Sequence, residues 1–304
     1  MTEELTDATV LVTGGAGFIG SHLVEALVED NDVRALDDLS TGHREFVHTD
    51  TELIVGDVRD VEAVREAMTG VDVVFHQAAV VSVDRSVEAP TETHAVNIDG
   101  TLAVLEAARA EDARVVLASS AAIYGDPVSV PVDESHPTDP LSPYGLEKLA
   151  VDQYARLYHD LYGLETVALR YFNVYGPRQT GGDYAGVISI FREQARTGGP
   201  LTVHGDGTQT RDFVHVSDIV RANQLAATTE ATGEAFNIGT GHSHSVLELT
   251  AIVRDLAEET IPVEHVEARE GDIQQSRADI SKAQETLCYE PRWDLHGGLE
   301  ELGR

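Results

Sequence analysis

The sequence is poor in cysteine and in long apolar segments. Cys288 is the only cysteine among 304 residues, so an internal disulfide cannot form and a cysteine-based metal cluster is excluded. No uninterrupted apolar run approaches the length that a membrane-spanning helix needs. Residues 1–7 are acidic and lack the basic and apolar pattern of a secretion signal. These absences predict a cytoplasmic protein without membrane-embedded segments.

Basic residues are scarce as well. Lys and Arg total 21 against 53 Asp and Glu, which gives a formal net charge of −32. A surface this negative repels phosphate backbones and anionic lipid headgroups, so we expect neither nucleic-acid nor membrane binding. Only Lys148 and Lys282 are lysines, a composition typical of proteins from salt-loving organisms, in which salt screens the repulsion between carboxylates. An ordinary acidic protein is the alternative interpretation.

Short apolar runs alternate with helix-like stretches through the first half of the chain. This alternation predicts an α/β fold with a doubly wound parallel sheet covered by helices on both faces. After Asn173, shorter elements separated by Gly and Pro indicate a smaller lobe. We predict a sheet domain over 1–172, to which 212–240 return, and a mainly ligand-binding lobe over 173–304. The predicted strands are Thr9–Thr13, Val33–Leu36, Glu52–Val55, Val71–Phe75, Arg114–Ala118 and Glu165–Arg170. The predicted helices cover Phe18–Glu29, Asp60–Met68 and Thr91–Ala110, and a longer one follows Pro143. We predict that Phe213–Ala227 returns to the main sheet and its helices.

Three glycines follow the first predicted strand. Gly14, Gly17 and Gly20 have the spacing GxxGxxG at the junction with a predicted helix. Glycine permits a tight turn and lets backbone N–H groups approach a pyrophosphate, which the positive end of the helix attracts. The motif predicts a Rossmann-type dinucleotide site. An ordinary strand–helix turn is the weaker alternative, because the motif follows the first strand.

An aspartate closes the second predicted strand. The carboxylate of Asp37 can accept hydrogen bonds from both ribose hydroxyls of adenosine and would repel the additional phosphate of NADP, so we predict NAD. Capping of a turn is the alternative for this residue. Asp57 follows the third predicted strand and could reach the adenine edge, although a solvated loop aspartate is a serious competitor.

A tyrosine and a lysine stand four residues apart at the start of a predicted helix. This spacing places Tyr144 and Lys148 on one helix face, where an ammonium can lower the pKa of a phenol and allow proton exchange near neutral pH. Such a pair is often only a surface feature. In this chain, however, nearly all other basic residues are arginines, so a lysine at this position indicates that a compact ammonium group is required. Ser120 ends a predicted strand, where ligands bind in open α/β sheets; satisfying the turn backbone is its alternative role.

Together these motifs resemble the extended short-chain dehydrogenase/reductases, specifically the nucleotide-sugar epimerase/dehydratase family. The family's order is kept over nearly the whole chain by TGGAGFIGSHL, FHQAA, VNIDGT, SSAAIYG, YGLEK, RYFNVYGPRQ, GDGTQTRDFVHVSD and REGD. The resemblance implies a Rossmann-type sheet, bound NAD, a UDP-sugar substrate and the catalytic trio Ser120, Tyr144 and Lys148. It implies NAD contacts for Gly14, Gly17, Phe18, Ile19, Gly20, Asp37, Asp57, Val58, Gln77, Ala78, Ala79, Asn97, Tyr144, Lys148 and Phe172, and substrate contacts for Ser120, Tyr144, Asn173, His204, Arg211, Arg269, Asp272 and Ser276.

The resemblance also explains why an acidic protein would place arginines at a ligand site. Arg211 and Arg269 could each bind a diphosphate through two parallel hydrogen bonds, although either alone would more often form a surface ion pair. The 13 histidines include no compact group with carboxylates, so the sequence predicts no metal site.

The residues after the catalytic serine separate the reactions of this family. Relatives that dehydrate or decarboxylate sugars carry acidic residues there, whereas this chain has Ala121 and Ala122, which cannot move protons. We therefore expect 4-epimerisation of a UDP-hexose through a transient 4-keto sugar. Another dehydratase, decarboxylase or reductase of the family is the alternative, and a non-catalytic NAD-sensing protein is a weaker one.

Two further expectations follow from the resemblance. Ser276 stands where related epimerases carry a gate beside the sugar 2-position, and its small side chain would admit an N-acetyl group as well as plain or uronate sugars. A solvated loop serine, with the alignment displaced by one or two residues, is the alternative. The helices near Thr101–Ala110 and Leu149–Tyr162 form an intersubunit bundle in the family, so a homodimer is implied. Ordinary helix-on-sheet packing is the alternative for the apolar surface of the second helix.

Overall fold

The computed structural model describes residues 4–179, 186–257, 261–268 and 273–303. The strands in these segments are β1 (Thr9–Thr13), β2 (Asp32–Asp37), β3 (Glu52–Val55), β4 (Val73–His76), β5 (Arg114–Ser120), β6 (Thr166–Tyr171), β7 (Asn173–Tyr175), β8 (Leu201–His204), β9 (Thr210–Arg211), β10 (Phe213–His215), β11 (Glu234–Ile238), β12 (His244–Ser245) and β13 (Val263–Val266). The helices are α1 (Phe18–Leu27), α2 (Val61–Met68), α3 (Val83–Glu88), α4 (Pro90–His94), α5 (Gly100–Glu111), α6 (Pro143–Tyr162), α7 (Val187–Arg196), α8 (Val216–Thr228), α9 (Val246–Leu256), α10 (Ser281–Leu287) and α11 (Leu295–Gly303).

The main sheet has seven parallel strands in the order β11-β6-β5-β4-β1-β2-β3. Its strands are buried on both faces because side chains alternate between two apolar cores. Val10 and Val12 face the core that includes Leu23 of α1, while Leu11 faces the core that includes Val64 and Val104 of α2 and α5. The predicted doubly wound α/β fold is therefore confirmed.

The strand order reverses at β1. From this strand the chain builds outward to β2 and β3 on one side, then crosses to β4, β5 and β6 on the other. The connections leaving the carboxyl ends of β1 and β4 consequently diverge and leave a crevice above the sheet. In open α/β sheets this crevice is where ligands bind.

A smaller lobe is built around a third core. It contains three two-stranded sheets, β7 with β10, β9 with β12 and β8 with β13, together with α7, α9 and α11. Tyr175, Phe191 and Leu249 are buried at its centre. Here the prediction for Phe213–Ala227 was partly wrong. Its strand, β10, pairs with β7 instead of the main sheet, and only its helix, α8, packs on β5 and β6.

The helix predicted over Thr91–Ala110 is divided. A π-helical turn at Ala95–Asp99 separates α4 from α5. Within it the side chain of Asn97 bonds both the N–H and the C=O of Val80, at 2.8 and 3.0 Å. Such single turns of π-helix are frequent at functional sites, and this one joins the helix to the loop that follows β4.

Candidate active site

The glycine-rich turn lies at the floor of the crevice. Gly14 has φ +68°, and a Cβ on it would lie 2.8 Å from the backbone nitrogen of Ala78, so a larger residue would close the space between β1 and β4. Helix α1 begins immediately afterwards at Phe18, and its N-cap residue, Gly17, has no side chain to bond the N–H groups of the first turn. Phe18 and Ile19 at the start of the helix are half-buried, and Ile19 packs against the core that includes Leu23. The turn thus presents backbone N–H groups to an anion.

Asp37 stands at the carboxyl end of β2 beside this turn. Its two oxygens accept hydrogen bonds from the backbone nitrogens of Ala16, at 2.9 Å, and Leu39, at 2.8 Å. Burial raises the pKa of this carboxyl group, and the two backbone bonds oppose that rise. Each oxygen is left with a lone pair for a ribose hydroxyl. The turn and this carboxylate therefore fit the adenosine diphosphate half of NAD.

The residues predicted to contact the adenine, Asp57 and Val58, both have other partners in the structure. The carboxylate of Asp57 is held by the guanidinium of Arg59, which lowers the pKa of Asp57. This pair lies on an exposed loop. Val58 is buried against α5, where a Cβ on Gly100 would lie 2.7 Å from its Cγ2. Of the two predicted residues, Asp57 is thus already engaged by a cation.

The loop after β4 forms the opposite wall of the crevice. The side-chain nitrogen of Gln77 lies 3.2 Å from both the Tyr171 hydroxyl and the Asn223 carbonyl oxygen. The backbone nitrogen of Ala78 donates to the Thr13 hydroxyl at 3.3 Å. The side chain of Gln77 therefore fixes this loop to β6 and α8, while Ala78 borders the glycine turn and Ala79 follows it in the chain.

A buried histidine that the motifs did not identify supports both walls. His76 lies between the hydroxyls of Thr13, 2.7 Å from Nδ1, and Thr101, 2.9 Å from Nε2. Thr101 donates its own proton to the Asn97 carbonyl oxygen at 2.6 Å, so we assign the His76 proton to Nε2. Burial, together with the smaller effect of the Lys148 charge, lowers the His76 pKa to about 3. His76 is thus a neutral connector.

The predicted catalytic trio, Ser120, Tyr144 and Lys148, comes from the end of β5 and the start of α6. Helix α6 begins at Pro143, as predicted, and Ser142 caps it through a 3.1 Å bond from the Gly145 nitrogen. The Tyr144 backbone nitrogen is held by the Ser86 hydroxyl at 3.1 Å. Burial raises the pKa of the Tyr144 phenol; the hydrogen bond with the Ser120 side chain lowers it and the Glu147 charge raises it.

Lys148 lies one turn further along α6. Its Nζ donates to the Ala118 carbonyl oxygen at 2.8 Å, and burial lowers its pKa to about 8. It therefore remains mostly protonated at neutral pH. The negative charge of its neighbour Glu147 opposes the lowering. Glu147 itself is buried and accepts from Thr93 at 2.8 Å and from Asn97 at 2.6 Å, contacts that the sequence did not suggest.

A buried ion pair connects α6, which carries Tyr144 and Lys148, to β6, the strand beside the one that ends at Ser120. Asp152 of α6 accepts two hydrogen bonds from Arg170 of β6, at 2.8 and 2.9 Å, and one from the Ser119 hydroxyl at 3.1 Å. Arg170 also donates to the Tyr124 hydroxyl at 2.9 Å. Breaking such a pair leaves an uncompensated buried charge, so the geometry around Ser120 is strongly specified.

A cavity of about 170 Å³ opens beside Ser120. Its described lining includes Ser120, Phe172, Asn173 and Ser276 of the predicted site, which the structure therefore brings together. The remaining described lining residues are Ala121, Ala122, Tyr124, Gly125, Pro127, Val132, Tyr171 and Ile273. Carboxylates and histidines are absent from this part of the lining.

The other predicted substrate residues lie away from that lining. Arg211 is in β9 and donates to the Thr210 carbonyl oxygen at 2.8 Å, while His204 ends β8 with Nδ1 3.1 Å from the Glu267 carbonyl oxygen. Arg269 and Asp272 lie outside the described residues. Within the described segments, no group of His, Cys, Asp or Glu could hold a metal ion, and no helix is long and apolar enough to cross a membrane.

Comparison with known proteins identifies the family. Residues 10–239 match the NAD dependent epimerase/dehydratase family. UDP-glucose 4-epimerase from Mycolicibacterium smegmatis is 39% identical over 304 residues, covering 95% of each chain. UDP-N-acetylglucosamine 4-epimerase from Methanobrevibacter ruminantium, solved with UDP-N-acetylmuramic acid, has a TM-score of 0.94 at 38% identity and covers 98% of this chain and 97% of its own. UDP-glucose 4-epimerase from Thermotoga maritima, solved with UDP-glucose, has a TM-score of 0.93 at 38% identity and covers 96% of each chain. The chain belongs to the NAD-dependent epimerase/dehydratase family.

Proposed function

We propose that the protein is an NAD-dependent UDP-hexose 4-epimerase. The observation that carries this proposal is the composition of the cavity beside Ser120. Its described lining, with Ala121 and Ala122 next to the serine, offers no carboxylate or histidine to expel a hydroxyl from the sugar. Proton exchange at a single oxygen suits epimerisation, whereas dehydration requires a second acid–base group. The epimerase relatives of similar length support the same reaction.

The residues of this chain supply binding and proton transfer. Bound NAD would supply the acceptor and donor of the hydride that leaves sugar C4 and is restored on the opposite face. Tyr144 takes the proton from the 4-hydroxyl and later returns it, and Ser120 hydrogen-bonds the same oxygen. Lys148 would contribute a positive charge one turn along α6, and an ammonium near a phenol favours its phenolate form. Lys148 is buried and Tyr144 is half-buried, which limits exchange of their protons with bulk water.

We assign the NAD contacts to the residues that line the crevice above the sheet. Asp37 would bind the adenosine ribose, and the N–H groups of the glycine turn would bind the pyrophosphate. Asp57 can serve the adenine only in its ion pair with Arg59. The remaining NAD contacts would come from Gly14, Gly17, Phe18, Ile19, Gly20, Val58, Gln77, Ala78, Ala79, Asn97, Tyr144, Lys148 and Phe172.

For the substrate, we assign the UDP to the smaller lobe and the hexose to the cavity. Arg211 and Arg269 would bind the diphosphate, Asn173 would lie beside it, Asp272 would contact the uridine ribose and His204 the uracil. Ser276 is buried in the cavity wall, where its small side chain leaves space for an N-acetyl group. An N-acetylglucosamine epimerase among the similar structures supports this wider range.

A comparison of substrates tests the role of Ser276. In Ser276→Tyr, kcat/KM for UDP-N-acetylglucosamine should fall at least about tenfold relative to kcat/KM for UDP-glucose, because the ring would occupy the space of the larger group. Ser217→Tyr, a change on α8 outside the cavity, is the control. An unchanged ratio in Ser276→Tyr would exclude Ser276 as the gate.

The assembly and setting of the protein are proposed on separate grounds. We infer a homodimer through α5 and α6, because Leu157 and Leu161 leave an apolar stripe exposed on α6.

The charge of −32 supports a cytoplasm of high salt content as the setting of the protein. The thermal melting temperature of the purified protein should then rise from low to molar KCl. We assign 1–172 with 212–240 to an NAD-binding domain and 173–304 mainly to a nucleotide-sugar lobe.

The direct test is conversion of UDP-galactose to UDP-glucose by the purified protein without added reductant. We expect both sugars at equilibrium and no net NADH, because the hydride is returned. Formation of a 4-keto-6-deoxy product would instead identify a dehydratase. Tightly bound NAD without turnover of any UDP-sugar would favour the sensing alternative.

A further inference from the structure

The carboxylate of Asp212 is a buried junction in the smaller lobe. Its Oδ1 accepts from the Thr240 backbone nitrogen and hydroxyl, both at 2.8 Å. Its Oδ2 accepts from the backbone nitrogens of Gly241, at 3.0 Å, and Ala278, at 3.1 Å. A Cβ on Gly239 would lie 2.9 Å from this same oxygen, so the absence of a side chain there permits the approach. Asp212 thus ties the turn after β11 to the segment around Ala278.

The same stretch of backbone carries the proposed substrate contacts. The Asp212 carbonyl oxygen accepts from Asn173, from the backbone nitrogen at 3.0 Å and from the side chain at 3.1 Å. Arg211 precedes it directly. The backbone of Thr210 makes two hydrogen bonds with the 274–276 segment. Its N–H donates to the Gln274 carbonyl oxygen at 2.9 Å, and its carbonyl oxygen accepts from the Ser276 N–H at 3.1 Å.

We propose that Asp212 is a positioning residue that holds Asn173, Arg211 and the Ser276 wall in one arrangement for binding the nucleotide sugar. This inference rests on the proposed function, whose substrate site it deepens. The hydrogen bonds of Asp212 do not include Tyr144 or Lys148, the proposed proton-transfer residues. Its loss should therefore weaken binding of the nucleotide and leave the chemical step almost unchanged.

An amide cannot replace this carboxylate. Each oxygen of Asp212 accepts at least one backbone N–H, and a backbone N–H cannot reverse its role as a hydroxyl can. In Asp212→Asn, either orientation of the amide would direct an NH₂ group at an N–H donor. The segment at Ala278 or the turn at Thr240 must then move away from Arg211 and Asn173.

Asp218→Asn provides a matched control. Asp218 is also buried, and its two oxygens accept from the backbone nitrogens of Arg292, at 2.9 Å, and Trp293, at 3.2 Å. It contacts none of the proposed substrate residues. An equivalent loss of stability is expected from both substitutions, but only the first should change ligand affinity.

The experiment measures binding of UDP to the purified full-length protein by calorimetry, together with its NAD content. Asp212→Asn is expected to raise the Kd for UDP about tenfold or more, with KM for the sugar nucleotide rising and kcat within about twofold of wild type. NAD content should be unchanged. Asp218→Asn should keep the wild-type Kd. A wild-type Kd in Asp212→Asn, or an equal weakening in Asp218→Asn, would overturn the proposal.

A milder variant keeps the test decisive if Asp212→Asn does not fold. Thr240→Val removes only the hydroxyl donor to Oδ1 and should raise the Kd for UDP about threefold. An unchanged Kd in that variant would count against Asp212. If the proposed function is wrong, wild-type protein will bind UDP but will not epimerise UDP-sugars. The role of Asp212 is still tested in that case, because the test compares the Kd for UDP in the variants and the wild type.

Discussion

The side-chain nitrogen of Asn97 donates a 2.6 Å hydrogen bond to the carboxylate of Glu147, the residue that precedes Lys148. The second carboxylate oxygen accepts from Thr93 at 2.8 Å, so Glu147 is held by neutral donors from α4 and the π-helical turn. The Glu147 carboxylate therefore acts electrostatically on Tyr144 and Lys148, the two side chains of α6 that we propose transfer and stabilise the proton. It raises the pKa of Lys148 and also that of Tyr144.

Removing this charge should change the pH dependence of turnover. In Glu147→Gln, the pKa values of Tyr144 and Lys148 should both fall, because the phenolate loses a repulsive neighbour and the ammonium loses an attractive one. The limb of the kcat–pH profile that reports phenol ionisation should move to lower pH, while kcat at its optimum changes less than about tenfold. Steady-state rates across the neutral range measure the shift. The exposed Glu62→Gln is the control, and an unmoved profile in Glu147→Gln would contradict the assignment.

Tyr144→Phe should abolish most turnover while keeping the fold and the bound NAD. Only the ionisable oxygen is removed, so kcat should fall about a hundredfold or more. Tyr154→Phe removes a hydroxyl from the same helix, two turns beyond Lys148, and should retain activity. Near wild-type epimerisation by Tyr144→Phe would rule out its role as the proton-transfer residue.

His76 should make the fold sensitive to acid. Its pKa is about 3 in the folded protein, against an ordinary histidine value of 6.5, so between these values the unfolded chain binds more protons than the native state. The free energy of unfolding should thus rise with pH through this window and fall by several kcal/mol as pH drops across it. His76→Gln, which cannot titrate, should be less stable near neutrality but lose less on acidification. Urea unfolding at about pH 7 and about pH 5 measures this difference. The exposed His242→Gln is the control and should lose as much stability between the two pH values as wild type. If His76→Gln also lost that much, His76 would not be the source of the acid sensitivity.

The exposed stripe on α6 should govern assembly. Leu157 is 46% exposed and Leu161 66%, and in the proposed dimer both are covered by the partner subunit. The double change Leu157→Glu with Leu161→Glu should halve the mass seen by light scattering in high salt, since charges would be buried in an apolar interface. Val61→Glu, at a position 44% exposed at the start of α2, should leave the mass unchanged. A monomeric wild-type protein would refute the dimer.

The sequence predicted those parts of the site that depend on local spacing. The glycines from Gly14 to Gly20, and Tyr144 with Lys148, lie within one or two turns of one another, so periodicity alone places each set together. The parallel sheet was also predictable, because buried strands produce continuous apolar runs.

Contacts between distant segments could not be predicted in this way. Glu147 meets Asn97 across 50 residues, and Asp212 meets Ala278 across 66. Each is an ordinary polar residue in the sequence and acquires its role only when the helices and loops pack. The short strand at Phe213 was assigned to the wrong sheet for a related reason, since β propensity does not specify which partner a strand will pair with.

The origin of β11 has a consequence for synthesis of the protein. This strand completes the main sheet by pairing with β6, yet 172–233 must leave the ribosome between the two. At about 5–20 residues per second, β6 stays an open edge for several seconds, and α8 is not yet present to cover β5 and β6. Much of the smaller lobe is therefore translated before the nucleotide-binding sheet can close, and the two lobes must mature together on the nascent chain.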